Sequence, residues 1–454
     1  MSLAATNPPK PVERQLFGHP IGLVTLVFAE AFERFSYYGM QTLFVLYMSQ
    51  HLLLPGHVEQ VAGFASFRAA LERVYGPLSP LALGSVIFGL FTGGVYLAPI
   101  AGGYLADRFC GRTRTILFGA VSLAAGQFLM AFDVSFLVAL LCLIAGVGCF
   151  KGNIASQLGG LYHGADARRA NAFQLLFFGM CTAVVITQLV CGTLAALYGW
   201  AAGFVAAGVG MLLGLAVYLQ GRRFLPRQTA RQRGTAIPLT GRDWQKVGVI
   251  LLIFLVLTVA LIGNQQIYNS YLLWAEARVD LVFAGRTMPV TWLASFDSLC
   301  AIIAALLSFQ FWRRLAKQGV APDETAKMTI GISLQAAAMA TLGIAALVTP
   351  ATAKVGLGWI LLYEIFLCFG GANIIPIILS LVARIAPSGV NATLISCSYL
   401  IYFGANMLVG WLGGLLERMD GGRFWLLHAL LIEAAGLLIF AIGRLFRDRL
   451  TPAS

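Results

Sequence analysis

The run LALGSVIFGLFTGGVYLAPIAGGYLA, residues 81–106, carries no charged side chain along its whole length. A membrane-spanning helix needs about 20 mostly apolar residues, because the hydrocarbon core is about 30 Å thick and a helix rises about 1.5 Å per residue. Similar runs recur from Pro20 to Phe446, with short polar turns between them. The sequence therefore predicts a protein whose helices cross a membrane many times.

The composition excludes a water-soluble fold. Of the 454 residues, 59% are hydrophobic and 11% are charged, whereas an ordinary globular domain carries roughly a quarter charged residues. The formal net charge of +12 would indicate nucleic acid or another anionic partner in a soluble protein. In a membrane protein, basic residues instead mark the loops that stay in the cytoplasm, so no nucleic-acid partner is expected.

Twelve apolar runs are long enough to span the bilayer. They lie near residues 21–50, 82–106, 114–133, 135–161, 171–196, 200–220, 246–275, 289–312, 326–348, 355–384, 392–417 and 423–446. The stretch 221–245 is too rich in Arg, Gln, Thr and Pro to span, and it separates six runs from six. We therefore expect an all-α membrane protein with a six-helix bundle at 1–220, a cytoplasmic linker at 221–245 and a second six-helix bundle at 246–454.

Basic residues alternate between successive loops. Arginines and lysines cluster at 108–114, 168–169, 222–246, 313–327 and 444–449, whereas intervening loops such as 133–136 and 197–200 carry none. Because short cytoplasmic loops carry the excess of Lys and Arg, both termini are predicted to be cytoplasmic. A surface helix is predicted within residues 58–75 of an external loop. The expected location is the plasma membrane, and more narrowly a bacterial inner membrane.

The loop after the second span carries a recognisable pattern. Its sequence GYLADRFCGRTR, residues 103–114, resembles the G-x-L-a-D-r-x-x-G-r-r signature of the major facilitator superfamily. The resemblance implies two helix bundles that rock about a site near the bilayer midplane, with Asp107 and Arg108 taking part in closing the cytoplasmic side. A basic loop that merely fixes topology is the alternative.

The first span contains the densest group of charges. Its sequence EAFERFSYYGMQ covers residues 30–41, and at 3.6 residues per turn one helix face carries Glu30, Arg34, Tyr37 and Gln41, with Glu33 and Tyr38 beside it. A charge at the bilayer centre costs at least about 2.5 kcal/mol, so this face is predicted to line a polar interior. Two carboxylates around one guanidinium leave surplus negative charge, which predicts proton binding. A buried ion pair that only fixes the helix is the alternative.

A second intramembrane cation stands in the fourth span. Lys151 lies within GVGCFKGN, residues 146–153, with no acidic residue nearby in the sequence. A lysine inside the membrane needs a partner or an anionic ligand. Arg34 and Lys151 are therefore predicted to form a pocket for a carboxylate.

Three motifs carry a closer resemblance. They are Glu30-x-x-Glu33-Arg34 with Phe35-x-Tyr37-Tyr38-Gly39, then Val95-Tyr96-Leu97-x-Pro99, then Phe150-Lys151-x-Asn153. In this order and spacing they resemble the proton-dependent oligopeptide transporter family. The resemblance implies a proton symporter for di- and tripeptides, with Glu30, Glu33 and Arg34 in proton coupling. It places the peptide carboxylate near Arg34, Tyr38, Tyr96 and Lys151, and the predicted pocket further includes Tyr37, Gln41 and Gln265.

The chain departs from the usual pattern of that family at several positions. Gln41 stands where a second arginine is usual, Cys181 where asparagine is usual, Gln265 where glutamate is frequent, and Gly371 where the tenth helix usually has glutamate. These departures concern the choice of substrate more than the mechanism.

One change can compensate for the missing carboxylates. If Phe296-Asp297 aligns with the usual Asn-Pro start of the eighth helix, Asp297 places a carboxylate in the second bundle, where it would hold the substrate amino group. Two other roles stay open: Asp297 as a residue of the external gate, or Glu364, two helical turns before Gly371, as the amine partner.

The main alternative function is proton-coupled transport of another carboxylated or anionic solute, such as an amino-acid conjugate or nitrate. The sequence has no H-E-x-x-H and no P-loop, and its five histidines are scattered near the predicted membrane edges. No enzyme activity, no cofactor and no metal site are expected. The expected partners are protons, a small peptide and the lipid bilayer, and the expected state is a monomer.

Overall fold

The computed structural model describes residues 15–16, 18–162, 168–225, 240–283, 285–320, 322–387 and 390–450. In this part of the chain, ten helices are long and apolar enough to cross a membrane. Two more helices occupy the first and third predicted spans; the first carries three charged residues, and the other begins at Arg112 with Arg114 in its first turn. The predicted all-α membrane fold is confirmed.

The first half begins with the paired strands β1 (Gln15–Leu16) and β2 (His19–Pro20). Its helices are α1 (Ile21–Tyr47), α2 (Phe64–Tyr75), α3 (Pro80–Leu105), α4 (Arg112–Leu129), α5 (Phe136–Gly160), α6 (Arg168–Tyr198) and α7 (Trp200–Gly221). A π-helical turn, Met48–Leu52, extends α1, and a second one, Ala106–Cys110, ends α3. The amphipathic α2 is the surface helix expected within residues 58–75.

The second half contains shorter helical pieces. They are α8 (Gly241–Ala260), α9 (Ile262–Gln265), α10 (Ser270–Arg278), α11 (Thr291–Lys317), α12 (Glu324–Val348), α13 (Leu357–Ala372), α14 (Ile375–Ile385), α15 (Asn391–Cys397), α16 (Tyr399–Gly413), α17 (Gly421–Leu445) and α18 (Arg447–Leu450). Strands β3 (Val282–Phe283) and β4 (Arg286–Thr287) form a hairpin between α10 and α11.

Most helix contacts stay within one half. In the first half, α1 packs along α6 and α7, and α4 packs along α5 and α7; in the second half, α12 packs along α13 and α17. The halves meet mainly through two helix pairs, α3 with α16 and α6 with α11, and α1 makes smaller contacts with α10 and α11. This is a two-bundle arrangement. The bundle boundaries remain a prediction, and residues 226–239 of the predicted linker lie outside the described residues.

Three spans predicted as continuous helices, 246–275, 355–384 and 392–417, are interrupted. The first breaks at Leu261 and again at Asn269, whose φ of −124° and ψ of −106° are not helical. The second breaks at Asn373, and Pro376 follows within the first turn of α14. The third breaks at Ser398, whose hydroxyl donates to the carbonyl of Ile395 at 2.6 Å. Hydropathy cannot detect such breaks, because polar side chains that satisfy the freed backbone groups are few and isolated.

The contact between α3 and α16 depends on glycine. A Cβ on Gly89 would lie 2.5 Å from the Asn406 carbonyl oxygen and 2.8 Å from the Gly410 Cα. Small residues permit helices in a membrane to approach this closely. The predicted orientation places this contact in the external half of the molecule.

Gly89→Ala is therefore expected to separate the external halves of the bundles. Overlap of this kind costs about 1–3 kcal/mol, which corresponds to roughly a 5- to 150-fold loss of the closed form. Spin labels at the exposed Leu54 and Val348 would report the change as a longer distance in pulsed electron resonance. Gly84→Ala is the matched control on the same helix, since its Cβ would lie 3.5 Å from the nearest atom. An unchanged distance in Gly89→Ala would contradict this interpretation.

Candidate substrate site

A cavity of about 630 Å³ lies between the two bundles. Ligand sites in proteins commonly have volumes of about 300–1,000 Å³. Side chains from both bundles form its polar and aromatic wall: Glu30, Arg34, Tyr38, Gln41, Tyr96, Lys151, Gln265, Tyr268, Asp297, Ser298, Tyr399 and Tyr402. Seven of the eight residues predicted to bind substrate are in this wall, and Tyr37 is the exception.

The cavity extends toward one side of the membrane. Its lining continues through Ala155 of α5, Phe173 of α6 and Leu379 of α14, positions near the helix ends predicted to be cytoplasmic. On the opposite side, hydrogen bonds join the bundles: Trp292 Nε1 donates to Thr193 Oγ1 at 3.0 Å, Ser295 Oγ to the Val185 carbonyl at 3.0 Å, Thr92 Oγ1 to Asn406 Oδ1 at 2.9 Å and Gln50 Nε2 to Glu276 Oε2. With the predicted orientation, this conformation is closed outside and open inside.

The charges of α1 form one compact cluster. Arg34 Nη2 lies 3.0 Å from Glu30 Oε1, and Arg34 Nε lies 2.9 Å from Glu33 Oε2. All three side chains are buried. Glu30 and Arg34 reach the cavity, whereas Glu33 stands behind them and is completely buried.

Tyr37 does not reach the cavity. Its exposure is 2%, and its ring meets the edge of Tyr38 at a centroid distance of 5.3 Å. At about 100° per residue, Arg34 and Tyr38 turn to one side of Glu30, while Tyr37 and Glu33 turn to the other. The cavity faces the Tyr38 side. The direct substrate contact predicted for Tyr37 is therefore corrected to a packing role in this conformation.

Lys151 is held by aromatic rings. Its Nζ lies 4.7 Å from the centroid of Tyr96 and 5.6 Å from that of Tyr399. Tyr96 in turn stacks on Tyr402 of the second bundle at 4.7 Å and 11°. Among the described residues, no carboxylate forms an ion pair with Lys151. Because a cation–π contact attracts the ammonium without neutralising its charge, Lys151 can still bind an anionic group.

The charge count differs between the two walls. On the α1 side, the carboxylates of Glu30 and Glu33 face the cations of Arg34 and Lys151, so the site is balanced with every group ionised. The surplus negative charge inferred from α1 alone is thus offset by Lys151 on α5. The sequence of α1 alone does not show this charge balance, because Lys151 lies on a different helix.

On the opposite side, one carboxyl group lines the cavity and a second lies behind it, and no described residue of that wall is a lysine or arginine. Asp297 of α11 lines the cavity, and Glu364 of α13 is completely buried behind it. Ligating atoms of Asp297, Glu364 and Cys368 lie within 4.8 Å of one another. Tyr271 OH donates to Glu364 Oε1 at 3.2 Å, and Cys368 Sγ donates to Asp297 Oδ1 at 3.4 Å. In the described part of the chain, neither carboxyl pairs with a lysine or arginine.

Two neutral residues replace carboxylates that the family resemblance led us to look for. Gln265 lines the cavity, where its Oε1 accepts from Asn406 Nδ2 at 3.1 Å and its Nε2 donates to Asn264 Oδ1 at 2.9 Å. Gly371 is not in the cavity wall, and a Cβ there would meet Gln335 Nε2 at 3.6 Å. Among the described residues, the carboxyl groups of the second bundle at the cavity wall and directly behind it are therefore those of Asp297 and Glu364.

The predicted gating residues lie in the π-helical turn that ends α3, on the side predicted to be cytoplasmic. Asp107 Oδ1 is 3.7 Å from Arg112 Nη2 in the same loop, and Arg108 is exposed. Both are therefore available to the solvent on the side toward which the cavity extends. Their role in closing that side remains a prediction.

Three tyrosines of the wall were not predicted from the sequence. Tyr268 lies between the two breaks of the seventh span, and Tyr399 and Tyr402 follow the break at Ser398. The signal available in the sequence was a pair of tyrosines three residues apart in an apolar run, which places them on one helix face.

Comparisons with known proteins agree with this geometry. The family model described as the POT family matches residues 113–238 and 239–424. The uncharacterized transporter YclF of Bacillus subtilis is 26% identical, over 90% of this chain and 90% of the relative. A di-/tripeptide transporter of Lactococcus lactis subsp. cremoris is 31% identical, over 71% of this chain and 58% of the relative.

A solved structure described as peptide transporter POT in complex with sulfate has the same fold. It aligns with a TM-score of 0.84 over 97% of this chain and 98% of that chain, at 22% identity. The fold is thus shared along almost the whole length, and the family model covers more than half of the sequence. The chain belongs to the POT family, as the motifs around Arg34, Tyr96 and Lys151 predicted.

Proposed function

We propose that the chain is a proton-coupled symporter that imports di- and tripeptides by alternating access. One observation carries the proposal: Arg34 and Lys151 stand in one wall of the cavity, and Asp297 stands in the other, where no described basic residue pairs with it. A peptide is a zwitterion with its two charges at opposite ends, so this arrangement is complementary to it. The Lactococcus lactis relative, described as a di-/tripeptide transporter, supports the same substrate class.

The proposed binding mode follows from the charges. The peptide carboxylate pairs with Lys151 and with Arg34, and the amino group pairs with Asp297. The rings of Tyr38, Tyr96 and Tyr402 surround the peptide. Their hydroxyl groups form hydrogen bonds with the peptide backbone. Peptide binding draws the two bundles together around it, which favours closure of the side that is open here.

Protons are proposed to act at two places. In the α1 cluster, a proton on Glu30 or Glu33 weakens the hold of these groups on Arg34 and frees it for the peptide carboxylate, so proton and peptide binding are linked. In the second bundle, the half-buried Asp297 and the fully buried Glu364 lie close together, and no described lysine or arginine pairs with either. The two carboxyl groups cannot both be charged at low cost. Asp297 and Glu364 therefore share a proton until a peptide ammonium arrives.

The α1 part of this proposal predicts a change in pH dependence. Peptide binding to the wild type is expected to strengthen as pH falls, because protonation releases Arg34. Glu33→Gln mimics the protonated form, so its affinity should be nearly constant across the same pH range and close to the wild-type value in acid. Fluorescence or calorimetric titration with dialanine at several pH values measures this. The same pH dependence in the wild type, Glu30→Gln and Glu33→Gln would remove the basis of the α1 mechanism.

A second candidate substrate class rests on the neutral Gln265 and Gly371. With fewer carboxyl groups where a peptide amino group would bind, the cavity would suit a solute with one negative charge, such as an amino-acid conjugate or nitrate. Counterflow separates the two classes: vesicles preloaded with dialanine should take up labelled dialanine without a proton gradient. If conjugates or nitrate compete and dialanine does not, the second class is correct.

The remaining features follow from this function. A carrier needs no catalytic group, so we propose that the chain is not an enzyme. We also propose that it acts as a monomer, since a two-bundle carrier needs no partner subunit. Both termini are proposed to be cytoplasmic, in a bacterial inner membrane. Protease accessibility of the termini in sealed, oriented vesicles tests that orientation.

A further inference from the structure

A cluster of ligating side chains lies apart from the cavity, on the face predicted to be external. His51 belongs to the π-helical turn Met48–Leu52, His57 to the loop that follows, and Asp133 to the turn before α5. His51 Nε2 lies 3.2 Å from Asp133 Oδ2, and His57 Nδ1 lies 2.9 Å from the same oxygen. Three separate segments thus bring two imidazole nitrogens and one carboxylate oxygen close together.

We propose that His51, His57 and Asp133 form a binding site for Zn²⁺. All three ligating atoms lie within 4.8 Å of one another. A tetrahedral zinc ion, about 2.0–2.1 Å from its nitrogen and oxygen ligands, holds those ligands about 3.3 Å apart. The two separations from Asp133 Oδ2 are close to that value, so an ion enters with small side-chain movements.

The exposure of the cluster fits an open site. The side chains of His51, His57 and Asp133 are 32%, 39% and 17% exposed. A zinc ion with three protein ligands keeps its fourth position for water, and this degree of exposure admits one. Two imidazoles and one carboxylate favour Zn²⁺ over Mg²⁺, which prefers an all-oxygen octahedral shell.

Second-sphere contacts orient the carboxylate. Tyr47 OH donates to Asp133 Oδ1 at 2.7 Å, which fixes that oxygen and turns Oδ2 toward the two histidines. Tyr47 is itself held in place, because its ring packs against Phe136 and Phe204 at centroid distances of 6.3 and 5.1 Å. Such outer contacts orient ligands in zinc sites.

The site adjoins a contact between the two bundles. Gln50 precedes His51 in the same π-helical turn, and its side chain donates to Glu276 of α10 across the predicted external face. An ion bound at His51 holds this turn in place and so keeps Gln50 in position to donate to Glu276. Zinc is therefore expected to favour the externally closed conformation, which makes the site a means of regulation from outside the cell.

The test is calorimetric titration of tag-free, detergent-purified protein with zinc chloride. The wild type should bind one equivalent of Zn²⁺ and show no heat with magnesium chloride. His51→Gln and His57→Gln keep a hydrogen-bonding group beside Asp133 but lose a ligand, and each should weaken zinc binding by about 100-fold or more; Tyr47→Phe should weaken it by about 10- to 100-fold.

The control is His19→Gln, since His19 contacts Tyr162 at the other end of the first bundle and its loss should leave zinc affinity unchanged. If the wild type binds no zinc, or if His51→Gln and His57→Gln bind it as tightly as the wild type, the proposal is wrong; in the second case the metal sits elsewhere, for example at the exposed Cys110. Because the titration contains no peptide, its result is independent of the transport proposal.

Discussion

Lys151→Ala is expected to lower the affinity for dialanine by about 30-fold or more. Removing one partner of a desolvated charge pair leaves the other partner buried and unpaired, which typically costs about 2–5 kcal/mol, and every 1.4 kcal/mol is about tenfold in affinity. Lys151 is the wall cation with no carboxylate partner among the described residues, so the peptide carboxylate loses its principal partner. Arg34 compensates only in part, because its guanidinium is shared with the carboxylates of Glu33 and Glu30 at 2.9 and 3.0 Å.

Lys327→Ala is the matched control for this experiment. Lys327 also stands over an aromatic ring in a spanning helix, with its Nζ 5.2 Å from the Trp312 centroid, but it does not line the cavity. Its removal should leave affinity within about twofold of the wild type. Equal affinity in Lys151→Ala and Lys327→Ala, measured by titration on folded protein, would exclude Lys151 as the carboxylate partner.

Glu364→Gln is expected to abolish accumulation against a gradient while exchange continues. Glu364 is behind the cavity wall and does not contact the peptide in the proposed binding mode, so dialanine counterflow should stay within about threefold of the wild type. The neutral amide removes the carboxyl group that shares a proton with Asp297. Uptake driven by an inward proton gradient should then reach only the external concentration.

Two comparisons sharpen this experiment. Asp297→Asn should impair both exchange and accumulation, because Asp297 also binds the peptide ammonium. Glu433→Gln is the matched control, since Glu433 accepts a hydrogen bond from Ser333 at 3.0 Å in another part of the second bundle and should not affect transport. Wild-type accumulation in Glu364→Gln would show that the proton is carried elsewhere, leaving the α1 cluster as the remaining proposed carrier.

The sequence predicted most of the first bundle, and the reasons are physical. Charges inside an apolar run are costly, so Glu30, Arg34 and Lys151 stand out without any structure, and the helical period places them on an inward face. Tyr37 was expected in the cavity wall because helical periodicity defines a face only to within about the angle between neighbouring positions on that face. The cavity boundary passes between Tyr37 and Tyr38, and neighbouring helices decide where it falls.

The second bundle was harder to predict. Its helix breaks at Asn269, Asn373 and Ser398 depend on local side-chain hydrogen bonds that hydropathy does not detect. The proximity of Asp297 and Glu364 is a contact between α11 and α13, and one sequence carries no signal for it. Sequence analysis therefore offered these two residues as alternatives for one role, whereas they lie together and the proposal gives each its own.

The same limit applies on the face predicted to be external. The histidines looked scattered because His51, His57 and Asp133 come from separate segments, and no metal site was expected. Only the packing of the α1 end against the start of α5 brings them together. Spacing motifs identify ligand sets within one helix or loop, and this cluster has no such spacing.

Gradient-driven uptake of labelled dialanine into proteoliposomes tests the central claim most directly. Purified protein is reconstituted, and uptake is followed with and without an inward proton gradient, and again after a protonophore is added. We expect accumulation above the external concentration only with the gradient, and its collapse with the protonophore. Equal uptake with and without the gradient, or no uptake by protein that is folded and inserted, would contradict proton-coupled peptide transport.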